Sequence, residues 1–226
     1  MEPETLTITI DDRDSVTALL YPASKAKRSG VTVVLGHGAG GNQLSAFMVM
    51  AAKGLAARGC DVMTFNFVYK ERGRSIPDPA ARLESCYQAV IKMVQTNRKL
   101  KKNRLVIGGK SMGGRIASQV AAVAPDGIAG LVFLGYPLHP PGRPDKLRDA
   151  HLNAIHAPML FVQGARDTFG TTEEIRAVIK RLGLPATVYP IEGGDHSFKV
   201  PKSLGVSQEK IYATILDKVA EWLQTN

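Results

Sequence analysis

Apolar, β-rich segments alternate with segments of helical periodicity along almost the whole chain. The strand candidates are 5–10, 16–21, 31–36, 61–67, 104–109, 129–135, 158–163 and 186–191. The helix candidates are 44–58, 78–96, 112–124, 171–182 and 207–224. The first two strands have no helix between them and predict an antiparallel start, whereas the later alternation predicts right-handed crossovers and a mostly parallel sheet. The pattern therefore predicts one α/β domain over residues 1–226, with about eight strands flanked by helices.

Two segments carry this prediction most clearly. The helix candidate 44–58 has apolar residues at three- and four-residue intervals on one face, namely Leu44, Phe47, Met48, Ala51 and Leu55. The continuous apolar run LVFLGYP is typical of a strand that helices cover on both faces. Both features predict a central sheet between two layers of helices.

The segment 136–157 interrupts the alternation. Its sequence, YPLHPPGRPDKLRDAHLNAIHA, is rich in proline and charge, and only Asp145–Ile155 has a short helical pattern. Connections of this length are uncommon in compact domains and are often functional lids. A plain surface loop is an equally good interpretation. We therefore expect a short lid-like excursion on a fold with an otherwise minimal cap.

Composition is that of an ordinary globular protein. A hydrophobic fraction of 44% and a charged fraction of 22% exclude a disordered chain. No apolar run approaches the roughly 18 residues of a membrane span, and the acidic start MEPETLTITIDD does not resemble a secretion signal. We expect a cytoplasmic protein without a membrane partner. Cys60 and Cys86 form no Cys-x-x-Cys pair and are expected to be buried free thiols.

The formal charge of +9 comes largely from basic residues in the segments 24–30, 69–74 and 96–104. These segments are predicted to be loops or helix ends, and they lack the interleaved aromatic residues of nucleic-acid-binding modules. A solvated basic surface is the preferred interpretation, and no nucleic-acid partner is expected. Attraction to an acidic partner or substrate stays open, and the sequence predicts no oligomeric state.

Two glycine-rich stretches resemble nucleotide-binding loops. In LVIGGKSMGG, a phosphate-binding loop requires a glycine five positions before Gly109, but Arg104 stands there at the start of a strand. Upstream, Gly36, Gly38 and Gly41 match Gly-x-Gly-x-x-Gly, yet the next strand ends without the acid that would bind a ribose. Neither stretch is therefore interpreted as a nucleotide site, and no cofactor is expected.

The same LVIGGKSMGG stretch matches the Gly-x-Ser-x-Gly turn of a nucleophilic serine. The turn must join a strand to a helix and hold Ser111 in a strained conformation that exposes its hydroxyl. A predicted strand precedes Ser111 and a predicted helix follows it. Gly109 and Gly113 stand two residues to either side, where side chains would collide, and Gly114 permits close packing of the helix. The pattern therefore predicts Ser111 as a nucleophile.

A serine needs a neighbouring base, and the base needs an acid that orients it. His196 in IEGGDHSF follows the last predicted strand, and Asp167 in QGARD follows the strand before it. The alternatives fit less well. His139, His151 and His156 lie in the 136–157 segment, Asp195 is adjacent to His196, Asp126 is an ordinary turn residue and Glu192 is a weaker substitute. The order Ser111, Asp167, His196 is that of α/β-hydrolases.

The upstream glycine loop has a role in this scheme. A backbone N–H of the loop after the third strand contributes to an oxyanion hole, and glycine lets a carbonyl approach closely. We expect the Ala39 amide in the hole, together with the Met112 amide directly after the serine. His37 is expected to orient the loop rather than to transfer protons.

Over nearly its full length the chain resembles the α/β-hydrolase superfamily, on the segments GHGAGG, GGKSMGG, QGARD and GGDHSF in that order. GKSMGGR together with GYPLHPPGRPDKLRDAHL is similar to a small branch that includes testis-expressed protein 30 and KANL3-type proteins. In size and in lacking a large cap, the chain also resembles dienelactone hydrolases, although Ser111 stands where those enzymes carry a cysteine. The resemblance implies the α/β-hydrolase fold and the triad but no substrate.

The sequence thus predicts a serine hydrolase of the carboxylesterase or thioesterase kind, which cleaves a small acyl substrate through an acyl-enzyme without metal or cofactor. Since some members of the branch belong to larger assemblies, the alternative is a non-catalytic binding or scaffold protein. Lys110 is expected on the solvent side of the serine turn, with a role in binding an anionic group as the alternative.

Overall fold

The computed structural model describes residues 2–226. The strands are β1 (Glu4–Thr9), β2 (Ser15–Tyr21), β3 (Val31–Gly36), β4 (Asp61–Phe65), β5 (Arg104–Lys110), β6 (Ile128–Leu134), β7 (Met159–Gly164) and β8 (Ala186–Ile191). The helices are α1 (Ala46–Ala57), α2 (Val68–Glu71), α3 (Ala80–Thr96), α4 (Met112–Val123), α5 (Thr172–Leu182) and α6 (Gln208–Thr225), with 3-10 turns at Lys25–Lys27, Leu152–Ala154 and Lys202–Leu204. Every predicted strand and helix is present, and only the short α2 was not predicted.

All eight strands form one sheet in the order β1-β2-β4-β3-β5-β6-β7-β8. β2 pairs antiparallel with both β1 and β4, and every other pair is parallel. The predicted antiparallel start and parallel remainder are therefore confirmed. Because the parallel strands run in one direction, the loops after β3, β5, β7 and β8 all leave the sheet at the same edge, where ligands bind in such folds.

Helices cover both faces of the sheet. Alternate strand residues point to opposite faces: in β6, Phe133 belongs to the core beneath α3, α4 and α5, while Val132 belongs to the core beneath α1 and α6. Both residues are fully buried, as expected for the continuous apolar run in which they lie. No helix within residues 2–226 has the length and apolar character needed to cross a membrane.

Two local predictions are wrong. Leu44 precedes α1 instead of sharing its apolar face, and 65% of its surface is exposed. Asn42 forms a turn there, accepting from the Leu44 amide at 2.9 Å through its side chain, and delays the helix start. The helical pattern at Asp145–Ile155 yields only the 3-10 turn Leu152–Ala154. Long-range contacts determine the conformation of this segment instead.

The segment 136–157 is tied to the body of the protein near both ends. Tyr136 is buried, and its hydroxyl donates to the carbonyl of Arg148 at 2.9 Å. His151 Nε2 lies 2.7 Å from Ser118 Oγ on α4. Residues 141–147 between these ties are exposed.

Several arginines, among them Arg28 and Arg72 of the basic segments, pair with buried carboxylates. Arg72 and Arg82 both contact Asp14, whose side chain is 6% exposed. Asp61 at the start of β4 accepts from the Ala23 amide at 2.8 Å and lies 3.3 Å from Arg28. Unpaired buried carboxylates are costly, so part of the positive charge stabilises the fold rather than forming a free basic surface.

Candidate active site

Ser111 occupies the sharp turn between β5 and α4. Its φ of 50° and ψ of −116° are unfavourable for a residue with a side chain, at about 1–3 kcal/mol, and the surroundings must enforce them. A Cβ on Gly109 would lie 2.2 Å from the carbonyl oxygen of Gly36, and one on Gly113 would lie 2.1 Å from the same atom. A Cβ on Gly114 would lie 2.9 Å from the carbonyl oxygen of Gly109. The three glycines are therefore needed for close packing, as predicted.

Tyr87 of α3 fastens the two strands beneath this turn. Its buried hydroxyl lies 2.9 Å from the Val34 carbonyl on β3 and 2.7 Å from the Gly108 carbonyl on β5, and it accepts from the Gly108 amide at 3.0 Å. Burial raises the pKa of Tyr87 above its ordinary value. A neutral phenol thus holds β5 against β3 directly below the nucleophile candidate.

The structure brings Ser111, His196 and Asp167 together. Ser111 Oγ lies 2.8 Å from His196 Nε2, and His196 Nδ1 lies 2.7 Å from Asp167 Oδ2. Because a carboxylate only accepts, Nδ1 carries the hydrogen and Nε2 is left to accept the serine hydroxyl proton. The His196 side chain is 21% exposed and that of Asp167 is 0% exposed. A sealed acid thus orients a histidine that remains accessible from the serine side.

Asp167 is held by groups that were not predicted from the sequence. Gln163, at the end of β7, donates from Nε2 to Asp167 Oδ2 at 2.9 Å and to the Gly170 carbonyl at 2.6 Å. Its Oε1 accepts from the Tyr136 amide at 2.8 Å. The Phe169 amide donates to Asp167 Oδ1 at 2.8 Å. The one available signal was a polar glutamine within the apolar run MLFVQG.

The loop that carries His196 is braced by its own residues. Asp195 does not pair with the His196 ring; its Oδ1 accepts from the amides of Ser197 and Lys199 at 2.8 and 2.9 Å. Phe198 is fully buried with a left-handed φ of 61°. The Phe169 ring lies against the His196 ring, with centroids 4.3 Å apart. Asp195 therefore shapes the turn and Phe169 restricts the ring, as expected for an acid too close in sequence to orient its neighbour.

The prediction that Lys110 points to solvent is wrong. The side chain is half-buried, and Nζ donates to the backbone carbonyl of His196 at 2.7 Å. Nζ also lies 5.4 Å from the centre of the Phe198 ring. Burial lowers the pKa of Lys110 to about 8, against the opposing charges of Asp167 and Asp195. The strand pattern could not foresee this contact, because the acceptor lies on a loop that is remote in sequence.

His37 orients the loop after β3, as predicted. It is fully buried, its Nε2 accepts from the Phe67 amide at 3.2 Å, and its Nδ1 donates to the Gly38 carbonyl at 2.8 Å. Burial lowers the pKa of His37 to about 4. The neutral ring therefore has both nitrogens occupied by backbone.

The position of the Ala39 amide follows from these contacts. The Gly38 carbonyl accepts from His37 and from the Gly41 amide at 3.1 Å. All described peptide bonds are trans, so the Ala39 N–H of the same peptide plane points the opposite way. The Ala39 carbonyl accepts from the Tyr69 hydroxyl at 2.9 Å. Met112 is the first residue of α4, where helix amides have no partner within the helix.

A cavity of about 380 Å³ opens above Ser111. Its wall includes the loop residues Gly38 and Ala39, the side chains of Phe47, Met48 and Phe169, and both Ser111 and His196. The serine hydroxyl and the glycine loop therefore face one mainly apolar space.

The other candidate residues lie outside this cavity. His139 Nε2 lies 3.3 Å from Glu174, His151 contacts Ser118, and His156 is exposed. Asp126 and Glu192 are exposed as well. Cys60 and Cys86 are free and buried, as predicted, and burial raises the pKa of both thiols.

Solved structures with the same architecture include several hydrolases. A serine hydrolase homologue from Coxiella burnetii superposes with a TM-score of 0.74 at 20% identity, covering 100% of this chain and 98% of that chain. A serine hydrolase without lid from Xanthomonas campestris gives 0.73 at 19% identity, covering 98% and 95%. Dienelactone hydrolase from Anabaena variabilis gives 0.76 at 16% identity, covering 100% and 99%. At these identities the likeness establishes the fold, which is the predicted α/β-hydrolase fold.

The sequence family described as the alpha/beta hydrolase domain matches residues 29–224. This range begins before β3 and ends within α6, so it contains Ser111, Asp167 and His196 and the strands that carry them. The chain therefore belongs to the alpha/beta hydrolase family.

Proposed function

We propose that this protein is a serine hydrolase that cleaves an ester, thioester or related acyl bond. The observation that carries the proposal is the continuous hydrogen-bonded series from Ser111 Oγ through His196 to Asp167, with distances of 2.8 and 2.7 Å. The serine stands in a strained turn and faces a cavity above it, which is the arrangement that exposes a nucleophile.

In the proposed reaction, His196 Nε2 takes the proton of Ser111 as Oγ attacks the substrate carbonyl. Asp167 stabilises the imidazolium through Nδ1. The protonated Nε2 then gives the proton to the leaving oxygen or sulfur, and an acyl group remains on Ser111 Oγ. Water, deprotonated by the same nitrogen, attacks this acyl group and releases the acid, which restores the hydroxyl of Ser111.

The Ala39 and Met112 amides are the proposed donors to the oxyanion. The His37 contact supports this role, because it fixes the Gly38–Ala39 peptide with its carbonyl turned toward the ring. Each such donor is worth about 3–4 kcal/mol in the transition state. Neither residue contributes through its side chain. A substitution at either position is therefore expected to affect the reaction only if it changes the position of the backbone amide.

A small, uncharged acyl group is the proposed substrate. The cavity of about 380 Å³ is lined by Phe47, Met48 and Phe169, and the ammonium of Lys110 at its edge is already bonded to the His196 carbonyl. Apolar walls with a few polar groups are typical of sites for small molecules. Esters and thioesters of short or aromatic acids fit this description. The resemblance of GKSMGGR to the branch of testis-expressed protein 30 supports placement in that branch but adds no substrate.

We propose that the segment 136–157 supports the acid turn through its buried start. The His139 amide donates to the Phe169 carbonyl at 3.0 Å, and Tyr136 shares two hydrogen bonds with Gln163. Only the exposed residues 141–147 are free of such ties and so available as a lid-like flap. The segment and the rest of the chain are proposed to form one domain.

Hydrolysis of a panel of p-nitrophenyl esters and acyl-thioesters tests the proposal. We expect turnover by the wild type, with rates falling as the acyl chain outgrows the cavity, and loss of turnover in Ser111→Ala. Ser203→Ala is the matched control, because Ser203 is exposed on a 3-10 turn and does not line the cavity above Ser111. A folded wild type that turns over neither class of substrate would favour the scaffold alternative.

A further inference from the structure

Lys110 links the residue before the nucleophile candidate to the loop of the base candidate. Its backbone ends β5 directly before Ser111, and its Nζ reaches across to the His196 carbonyl at 2.7 Å. The side chain passes close to Gly135, where an added Cβ would lie 2.9 Å from Nζ. One side chain thus spans the two loops whose separation sets the distance between Ser111 Oγ and His196 Nε2.

Burying this ammonium is unfavourable, so its inward position requires compensation. A charged amine loses hydration when it leaves water, and lysine usually avoids this by extending its head to solvent. Here the loss is offset by the His196 carbonyl, by the face of the Phe198 ring and by the negative charges of Asp167 and Asp195. One carbonyl, one aromatic ring and two negative charges, all on the β7 and β8 loops, therefore compensate the burial of Nζ.

The hydrogen bond to the His196 carbonyl restrains a backbone that the triad itself leaves free. Asp167 and Phe169 fix the imidazole ring, but both act on the side chain only. The carbonyl of His196 belongs to a loop between β8 and α6, where small backbone shifts move the ring as a unit. Displacements of about 1 Å at a reacting group can cost about 100-fold in rate.

We propose that Lys110 is a positioning residue, which holds the backbone of His196 at the distance where its ring reaches Ser111. The proposal rests on the proposed hydrolase function and adds a residue outside the triad and oxyanion loop. Lys110 acts through His196 and is not assigned any contact with the substrate.

Lys110→Met tests this role, because it keeps most of the apolar stem and removes the donor. We expect kcat for a p-nitrophenyl ester to fall by about 10- to 100-fold, with KM within about twofold and a thermal midpoint close to that of the wild type. Lys199→Met is the matched control: Lys199 lies on the same loop with an exposed side chain, and its kcat should stay unchanged. An unchanged kcat in Lys110→Met overturns the proposal.

Chemical rescue separates positioning from packing. Lys110→Cys treated with 2-bromoethylamine regains an ammonium on a side chain of nearly the original length, whereas 1-bromopropane gives a neutral one of similar size. Cys60 and Cys86 are buried, and the wild type treated in parallel monitors their modification. Restoration of kcat by the aminoethyl group alone supports the proposal, and equal restoration by both groups contradicts it.

A measurement that needs no substrate keeps this inference distinct from the hydrolase proposal. The Nδ1 hydrogen of His196, bonded to Asp167, should give a downfield proton resonance that His196→Ala removes. Lys110→Met should shift or broaden this resonance, and Lys199→Met should leave it in place. If the wild type hydrolyses nothing, the proposed function fails while this comparison still decides the role of Lys110. Retention of an unshifted resonance in Lys110→Met overturns it.

Discussion

Gln163 Nε2 donates to the same oxygen of Asp167 that faces His196 Nδ1, at distances of 2.9 and 2.7 Å. Both Gln163 and Asp167 are buried. The amide therefore sets the orientation of a carboxylate that in turn sets the tautomer of the histidine. This contact extends the proposed triad by one residue along β7.

Gln163→Leu should impair both stability and turnover. The substitution leaves the Tyr136 amide and the Gly170 carbonyl without a buried partner, at a cost of about 2–4 kcal/mol in the free energy of unfolding. Loss of carboxylate orientation should lower kcat/KM by about tenfold. Urea unfolding and ester hydrolysis measure the two effects. Gln224→Leu, at an exposed position near the end of α6, should change neither, and a fully active Gln163→Leu contradicts the role.

Asp167→Asn should lower kcat by about 100- to 10,000-fold and should also lower stability, because the new amide nitrogen would face a buried donor, Gln163 Nε2 or the Phe169 amide. An amide facing His196 can donate to Nδ1, which moves the ring hydrogen to Nε2 and removes the acceptor of the Ser111 proton. Steady-state kinetics measure this. Asp126→Asn, in an exposed turn, is the control for the same chemical change. Near-normal turnover in Asp167→Asn would exclude the acid role.

His37 should make the fold sensitive to mild acid. Its pKa is lowered to about 4 in the folded protein, whereas the unfolded chain protonates near about 6.5. Between these values the unfolded state binds more protons, so the stability present above pH 6.5 is lost as the pH falls toward 4. At pH 5 the loss should be about 2 kcal/mol relative to pH 7.

Urea unfolding at pH 7 and pH 5 measures the contribution of His37. His37→Asn should lose this part of the pH dependence, although it is less stable at neutral pH. His156→Asn replaces an exposed histidine and should retain the dependence of the wild type. If His37→Asn loses as much stability between pH 7 and pH 5 as the wild type, the acid sensitivity arises from other groups and not from His37.

Gly113→Ala should destabilise the protein by at least about 3 kcal/mol. Its Cβ would lie 2.1 Å from the Gly36 carbonyl oxygen, and backbone cannot move aside without separating α4 from β3. Gly142→Ala is the matched control. It has a left-handed φ of 70° but no atom within 4 Å of the new Cβ, so only about 1–2 kcal/mol should be lost. Differential scanning calorimetry distinguishes the two, and equal losses would contradict the packing argument.

The fold was predictable because its evidence is local. Strand and helix periodicity was sufficient to place every predicted element. The two glycines on either side of Ser111 indicated a sharp turn in which there is no room for side chains. The residues that follow parallel strands meet at one edge, so Ser111, Asp167 and His196, each in a turn after a predicted strand, were expected to lie together.

The contacts that were missed are long-range and polar. Gln163 belongs to an apolar strand, and its partners lie on two turns, one after β6 and one after β7. Lys110 was expected in solvent because a lysine beside a turn usually extends outward, and only the path of the β8 loop reveals the His196 carbonyl. Leu44 fits the helical spacing of α1, but a local turn at Asn42 starts the helix later. Periodicity predicts on which face of a helix or strand a residue lies. It does not predict which groups of a distant loop contact that residue.

Fluorophosphonate labelling followed by peptide mass spectrometry tests the central claim, that His196 activates Ser111, most directly. The folded wild type should carry one adduct, on Ser111, and His196→Ala should slow its formation by at least about 100-fold. Labelling of the Ser203→Ala control should match the wild type. Absence of an adduct on Ser111 in the folded wild type, or an adduct that forms equally fast in His196→Ala, would contradict the claim.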